Sequence, residues 1–126
     1  MITEDYCSFE IAKLLKEKGF DESCYGRYSV RSKEFHFDCT KAYNNGSNFM
    51  YAAPTLQMAM KWLREVHNLS VEIYRTACGY IGCIVASPSG TDIKFLEDGD
   101  DLPSGTYTKW EKACEASIKY CLENLI

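Results

Sequence analysis

The stretch RYSVRSKEFHFDC, residues 27–39, alternates apolar and polar side chains on both sides of a short break, which is the pattern of a β-hairpin. A reversal at Ser32 and Lys33 places Tyr28 opposite Phe37, and a four-residue loop over 31–34 keeps the same register. One face then carries Tyr28, Val30, Phe35, Phe37 and Cys39, and the other carries Arg27, Ser29, Arg31, Glu34, His36 and Asp38. We expect the first face to be core and the second to be solvated.

The same stretch holds the side-chain types of nucleophilic catalysis. The pleat sends Cys39 to the side opposite His36 and Asp38, so the thiol and the imidazole cannot share a proton. Ser29 faces His36, yet the stretch has no nucleophile elbow and no evident oxyanion hole. The pattern therefore favours a hairpin over a catalytic site, and we predict no catalytic residue.

Three helices are indicated outside the hairpin. Ser8 precedes an amphipathic run that stops at Gly19, and Pro54-Thr55 opens a second run from Leu56 to about His67. The third helix runs to the chain end, and Thr108 with Glu111 forms the pattern of a capping box at its start.

Short strands lie between these helices. Residues 70–76 and 80–86 read as a strand pair, and 93–96 as a shorter strand after it. The order α-β-β-(β)-α-β-β-(β)-α predicts the α+β class: a single two-layer domain over residues 1–126, with three helices packed on one face of a mostly antiparallel sheet. The two α-β-β units are either a faint internal repeat or a chance match between amphipathic helices.

Composition limits the functions that we expect. With a net charge of −4 and a pI of about 5.2, the chain lacks the positive field that attracts nucleic acid and anionic membranes. We therefore expect neither as a partner. The first ten residues, MITEDYCSFE, do not resemble a signal peptide, so we expect a cytoplasmic protein. The seven cysteines follow no disulfide framework and should be reduced and mostly buried.

The sequence contains no convincing site for a metal or a cofactor. Its two histidines, His36 and His67, form no HxxxH motif, and Cys78 and Cys83 have no second pair at zinc-ribbon distance. The acidic run EDGDD, residues 97–101, lacks the ligand spacing of a calcium loop, and the glycines form no phosphate loop. We therefore predict no metal and no cofactor.

Aromatic side chains are the main hint of recognition. Nine tyrosines are present, and Tyr25, Tyr43, Tyr51 and Tyr74 fall at polar-face or loop positions. An exposed tyrosine buries a large area at small entropic cost when it binds a partner. These four tyrosines are the predicted protein-binding surface, although ordinary surface tyrosine remains the alternative reading.

Three segments carry a family resemblance: SFEIAKLLKEKGFDE (8–22), PTLQMAMKWLREVHNLSVEIY (54–74) and YTKWEKACEASIKYCLENLI (107–126). Together they resemble a group of short uncharacterised proteins carried by gut anaerobes and their prophages. The resemblance implies an intracellular accessory protein of phage or mobile-element origin, and it assigns no functional residue.

Two functional hypotheses follow. The first is a non-enzymatic cytosolic protein that binds another protein or forms a homo-oligomer. The second is a small enzyme or ligand-binding protein whose site is assembled from His67, Cys78 and the acidic loop 97–101. A polar pocket at His67 would favour the second hypothesis, and a tyrosine-lined surface would favour the first.

Overall fold

A computed structural model describes residues 2–86, 92–96 and 106–126, with the backbone alone described for 92–96. It confirms the α+β class and the predicted order of elements. The strands form two three-stranded antiparallel sheets, where the sequence analysis expected one. The elements are α1 (Phe9–Glu17), β1 (Gly26–Ser29), β2 (Phe35–Phe37), β3 (Met50–Ala53), α2 (Leu56–His67), β4 (Leu69–Arg75), β5 (Tyr80–Ala86), β6 (Asp92–Leu96) and α3 (Trp110–Asn124).

The chain divides into two compact units, residues 1–59 and 60–126. The first contains α1 and the sheet with strand order β2-β1-β3, and the second contains the sheet β4-β5-β6 and α3. α2 begins in the first unit and ends in the second. One folding domain over residues 1–126 stays a prediction. No helix in the described ranges is long and apolar enough to cross a membrane.

Helix α1 begins and ends where the sequence predicts. The Ser8 hydroxyl accepts a hydrogen bond from the Ile11 amide at 3.3 Å, which caps the first turn. At the other end, Gly19 has φ of +93°, and the Phe20 amide donates to the Leu15 carbonyl at 2.9 Å. This glycine-terminated ending satisfies the last carbonyls and buries Phe20 beside the helix.

The hairpin forms, but its register differs from the prediction by two residues. Tyr28 pairs with Phe35, and the loop spans 30–33. Lys33 adopts the left-handed conformation, with φ of 61°, and its amide donates to the Ser29 carbonyl at 2.8 Å. A left-handed lysine is uncommon, so the residue types in the loop gave no signal for this turn.

Because the hairpin register shifts by two residues, each side chain stays on its predicted face of the sheet, but several are not buried as predicted. Tyr28, Phe35 and Phe37 still share one face. However, Phe35, Phe37 and Cys39 are exposed, so the prediction that this face is core is wrong for them. Alternation identifies which side chains share a face, but it does not show what covers that face.

In the second unit, α3 packs against all three strands of its sheet. Gly82 lies in the central strand β5, between Ile73 of β4 and Leu96 of β6. A Cβ atom at residue 82 would overlap the Ser117 hydroxyl, so glycine is what permits the close approach of α3. The hydroxyl itself donates to the Ala113 carbonyl at 2.7 Å inside the helix.

Helix α3 starts one residue later than the predicted capping box requires. Its first residue is Trp110, and Lys109 occupies the N-cap position without a side-chain cap hydrogen bond. A capping box over Thr108 and Glu111 needs Thr108 at the N-cap, so that detail of the prediction is wrong.

We predict that Gly82→Ala lowers the free energy of unfolding by about 1–3 kcal/mol, because its methyl group meets the buried Ser117 hydroxyl. Adding Ser117→Ala should restore most of this loss, since the atom then nearest is the residue-117 Cβ at 3.5 Å. Urea denaturation of both single variants and the double variant measures the coupling. Equal instability of Gly82→Ala and the double variant would contradict this packing.

Candidate functional site

The N-terminal segment of the first unit places an aromatic ring on the sheet. Tyr6 bridges to Thr55, the Cys7 amide donates to the Pro54 carbonyl at 3.0 Å, and the Leu56 amide donates to the Asp5 carbonyl at 2.8 Å. These bonds hold the segment beside the end of β3, and they bring the Tyr6 ring against Gly26 in β1.

Three further side chains gather around Tyr6. Its ring centroid lies 5.2 Å from that of Phe35 and 5.9 Å from that of Phe37, and Phe35 also meets Tyr28 at 5.3 Å. These are favourable tilted and edge-on geometries for aromatic pairs. Phe35 is nevertheless 40% exposed and Phe37 is 53% exposed, so the cluster is only half covered.

Tyr6 also lines a cavity of about 230 Å³. Its walls include Tyr6, Cys24, Tyr25, Pro54 and Met58, and Tyr25 and Met58 are themselves 50% and 42% exposed. We call the combined area of Tyr6, Tyr25, Phe35, Phe37 and Met58, together with this cavity, the Tyr6 surface. It presents exposed apolar and aromatic groups around a concave centre.

Two titratable groups in the cavity wall are held neutral. Burial raises the pKa of Cys24 to about 11, and the Glu22 carboxylate adds to the shift. Burial also raises the pKa of Tyr6, with Glu4 and Cys24 as smaller causes. Neither group ionises near neutral pH, so Cys24 is a poor nucleophile and the two side chains serve as uncharged walls.

Strand β2 gives the Tyr6 surface an open backbone edge. The Ser29 amide donates to the Glu34 carbonyl at 3.0 Å and the Asp38 amide donates to the Tyr25 carbonyl at 3.1 Å, so Arg27 and His36 form the hydrogen-bonded pair between them. The N–H and C=O groups of Phe35 and Phe37 therefore point away from β1. In the described part of the chain β2 pairs with β1 alone, which leaves these groups free.

Of the three predicted tyrosines in the first unit, the structure brings only Tyr25 to this surface. Tyr51 contacts the Phe9 ring at 5.4 Å on the α1 side of the sheet, and Tyr43 lies under the Arg27 guanidinium. Tyr74 is 51% exposed in β4 of the second unit, on the face opposite α3. Tyr43 and Tyr51 therefore lie on opposite faces of the first sheet, and the predicted tyrosines of the first unit do not form one surface.

Of the residues of the alternative hypothesis, the structure describes His67 and Cys78, which flank opposite ends of β4. His67 ends α2 with its ring 4.7 Å from that of Trp62, and its buried Nε2 has no hydrogen-bond partner. Cys78 is exposed in the connection after β4, and the acidic loop 97–101 lies outside the described residues. Among the described side chains, no group of three or more His, Cys, Asp and Glu residues could hold a metal ion.

Sequence reasoning missed most of the Tyr6 surface. Tyr6 precedes the first helix in a segment without periodic pattern, and the alternation of the hairpin predicts Phe35 and Phe37 in the core. Met58 lies in α2, as the sequence predicts, and the helical pattern does not show that its side chain meets a cavity. A usable signal was the hairpin's own composition, because two phenylalanines on a three-residue strand need a cover that the neighbouring sequence does not supply.

The cysteines supply a direct test of burial. All seven are free, with Cys39 and Cys78 exposed and the other five buried. Cys39 is exposed, so its predicted core position is wrong. Burial raises the pKa of Cys121 to about 12.

We predict that two thiols, those of Cys39 and Cys78, react quickly with a thiol reagent near pH 8, and that the other five react only after unfolding. Rapid labelling of Cys24 or Cys121, located by mass spectrometry, would contradict this arrangement.

Comparison of the chain with protein-family models, with curated proteins and with solved structures finds no match in any of the three.

Proposed function

We propose that the protein is a non-enzymatic binding protein whose Tyr6 surface takes an extended apolar segment of a partner protein. The segment adds a strand to the outer edge of β2 and inserts one apolar side chain into the cavity beside Tyr6. Main-chain hydrogen bonds supply affinity in this mode of binding, and pockets for individual side chains supply specificity.

The observation that carries this proposal is that exposed aromatic side chains and free backbone groups belong to the same residues. Phe35 and Phe37 present their rings on one face and their N–H and C=O groups at the strand edge. Full burial of a phenylalanine side chain contributes about 1.5–3 kcal/mol, and aromatic residues frequently dominate binding energy at interfaces. A strand laid along β2 satisfies the edge and covers the rings together.

Charge at the hairpin loop favours acidic residues in the part of the partner segment that lies near this loop, whereas Glu4 in the cavity wall favours an uncharged side chain in the cavity. The chain as a whole carries −4, but the loop at the end of β2 holds two exposed cations, Arg31 and Lys33, beside the carboxylate of Glu34. A partner with acidic residues beside its apolar ones is drawn to this local positive field, which speeds association and disfavours basic competitors.

We predict that panning a phage-displayed random-peptide library on the full chain enriches peptides with apolar residues at alternate positions and acidic residues near them. A selected peptide, made synthetically, should bind Phe37→Ser at least roughly tenfold more weakly, because the variant loses a large apolar contact. His36→Ser is the matched control and should bind normally, because His36 is equally exposed on the opposite face.

His36→Ser should change stability by less than about 0.5 kcal/mol, whereas Phe37→Ser also loses the edge-on contact with Tyr6, at a cost of about 0.5–1.5 kcal/mol. Urea denaturation of both variants shows that each is folded under the conditions of the binding assay. Failure to enrich any peptide, or equal binding by Phe37→Ser and the unchanged chain, would refute the proposal. A dimer in sedimentation that Phe37→Ser abolishes would show that a second copy, and not a partner protein, occupies the surface.

A further inference from the structure

On the face of the first sheet opposite Phe35 and Phe37, two nitrogens of an arginine have no hydrogen-bond partner among the described residues. Arg27 lies in the central strand β1, with His36 directly across in β2 and Ala52 directly across in β3. Its Nε and Nη1 atoms are buried and have no hydrogen-bond partner within the described part of the chain. A charged donor that is both desolvated and unpaired is costly, and its presence in a folded protein requires an explanation.

The nearest carboxylate does not fill this role. Asp38 accepts hydrogen bonds from the Thr40 amide at 2.9 Å and from the Thr40 hydroxyl at 2.6 Å. Those bonds are the main reason that the Asp38 pKa lies below its ordinary value, and the charge of Arg27 contributes less. Asp38 therefore accepts its hydrogen bonds within the turn that follows β2. Arg27 feels the Asp38 charge, but its Nε and Nη1 donate to no acceptor that the structure describes.

Arg27 instead contacts an aromatic ring that it shares with a second cation. The guanidinium carbon lies 4.4 Å from the Tyr43 ring centroid, and the Lys41 ammonium lies 5.2 Å from the same centroid. Backbone hydrogen bonds in both directions between Tyr43 and Cys24 hold this ring beside β1. Two positive charges thus converge on one fixed ring, and the ring attracts both but gives no acceptor to either.

We infer that Arg27, Lys41 and Tyr43 form a binding site for an oxyanion, either a carboxylate or a phosphate. The guanidinium offers a fixed positive charge and the N–H donors of Nη2 to such a group, and Lys41 adds a second charge. Arg27 is only half-buried as a residue, and Nη2 is not among its buried unpartnered nitrogens, so a ligand can approach the guanidinium at Nη2. The site lies on the face opposite Phe35 and Phe37, and it does not depend on the proposed partner segment.

The test is an NMR titration of the ¹⁵N-labelled full chain with sodium phosphate and, separately, with sodium acetate, at ionic strength held constant with sodium chloride. We expect at least one of the two anions to give saturating shifts of the Arg27 Nε–H signal and of the Lys41 and Tyr43 amides. Saturation by phosphate alone identifies a phosphate-bearing ligand, and saturation by acetate identifies a carboxylate.

Substitutions distinguish a specific anion-binding site from the general attraction of anions by nearby positive charges. Arg27→Gln should raise the Kd roughly tenfold or more, because it removes charge-assisted hydrogen bonds. Arg31→Gln, at an exposed arginine in the loop of the same hairpin, should leave the Kd unchanged. Lys41→Gln, also at an exposed position, should raise the Kd and leave the fold intact. If Arg27→Gln proves unfolded, an unchanged Kd in Lys41→Gln would overturn the inference. Shifts that grow without saturation for both anions, or equal losses in Arg27→Gln and Arg31→Gln, would overturn the inference.

Discussion

The absence of a side chain at Gly26 is the constraint on which the first unit depends. A Cβ atom there would lie 2.8 Å from the Ala53 carbonyl oxygen and 2.9 Å from ring atoms of both Phe35 and Tyr6. Since real Cβ atoms do not approach so closely, any larger residue would push Tyr6 off the sheet or β2 away from it. Contact between Tyr6 and the backbone of β1 fixes the ring cluster and one wall of the cavity together.

The two faces of this small sheet have different chemistry because strands alternate their side chains. Tyr28, Phe35 and Phe37 point to the side that Tyr6 and α1 partly cover, and the Tyr28 hydroxyl donates to the Cys7 carbonyl at 2.7 Å, which ties the N-terminal segment down. Arg27 and His36 point to the other side. An apolar surface and a cationic one therefore lie back to back on three short strands, and each can be altered without changing the other.

Much of the fold was predictable because its signals are local. Ser8 and Gly19 bound α1 through bonds made within a turn. Alternation over 70–76 indicated β4, and the more apolar run 80–86 indicated its partner β5. The hairpin register was not predictable, since it depends on a left-handed lysine at residue 33. The Tyr6 surface was also not predictable, because it forms only when Tyr6 contacts Thr55, Gly26 and Phe35, which lie far from Tyr6 in the sequence.

The central claim is that a partner strand adds to the free edge of β2, and amide hydrogen exchange tests it most directly. In the free protein the His36 amide, paired with Arg27, should exchange slowly, whereas the Phe35 and Phe37 amides should exchange quickly. Saturation with a peptide selected for binding should slow exchange at Phe35 and Phe37 and leave His36 nearly unchanged. Unchanged fast exchange at both phenylalanines with the peptide bound would contradict the account.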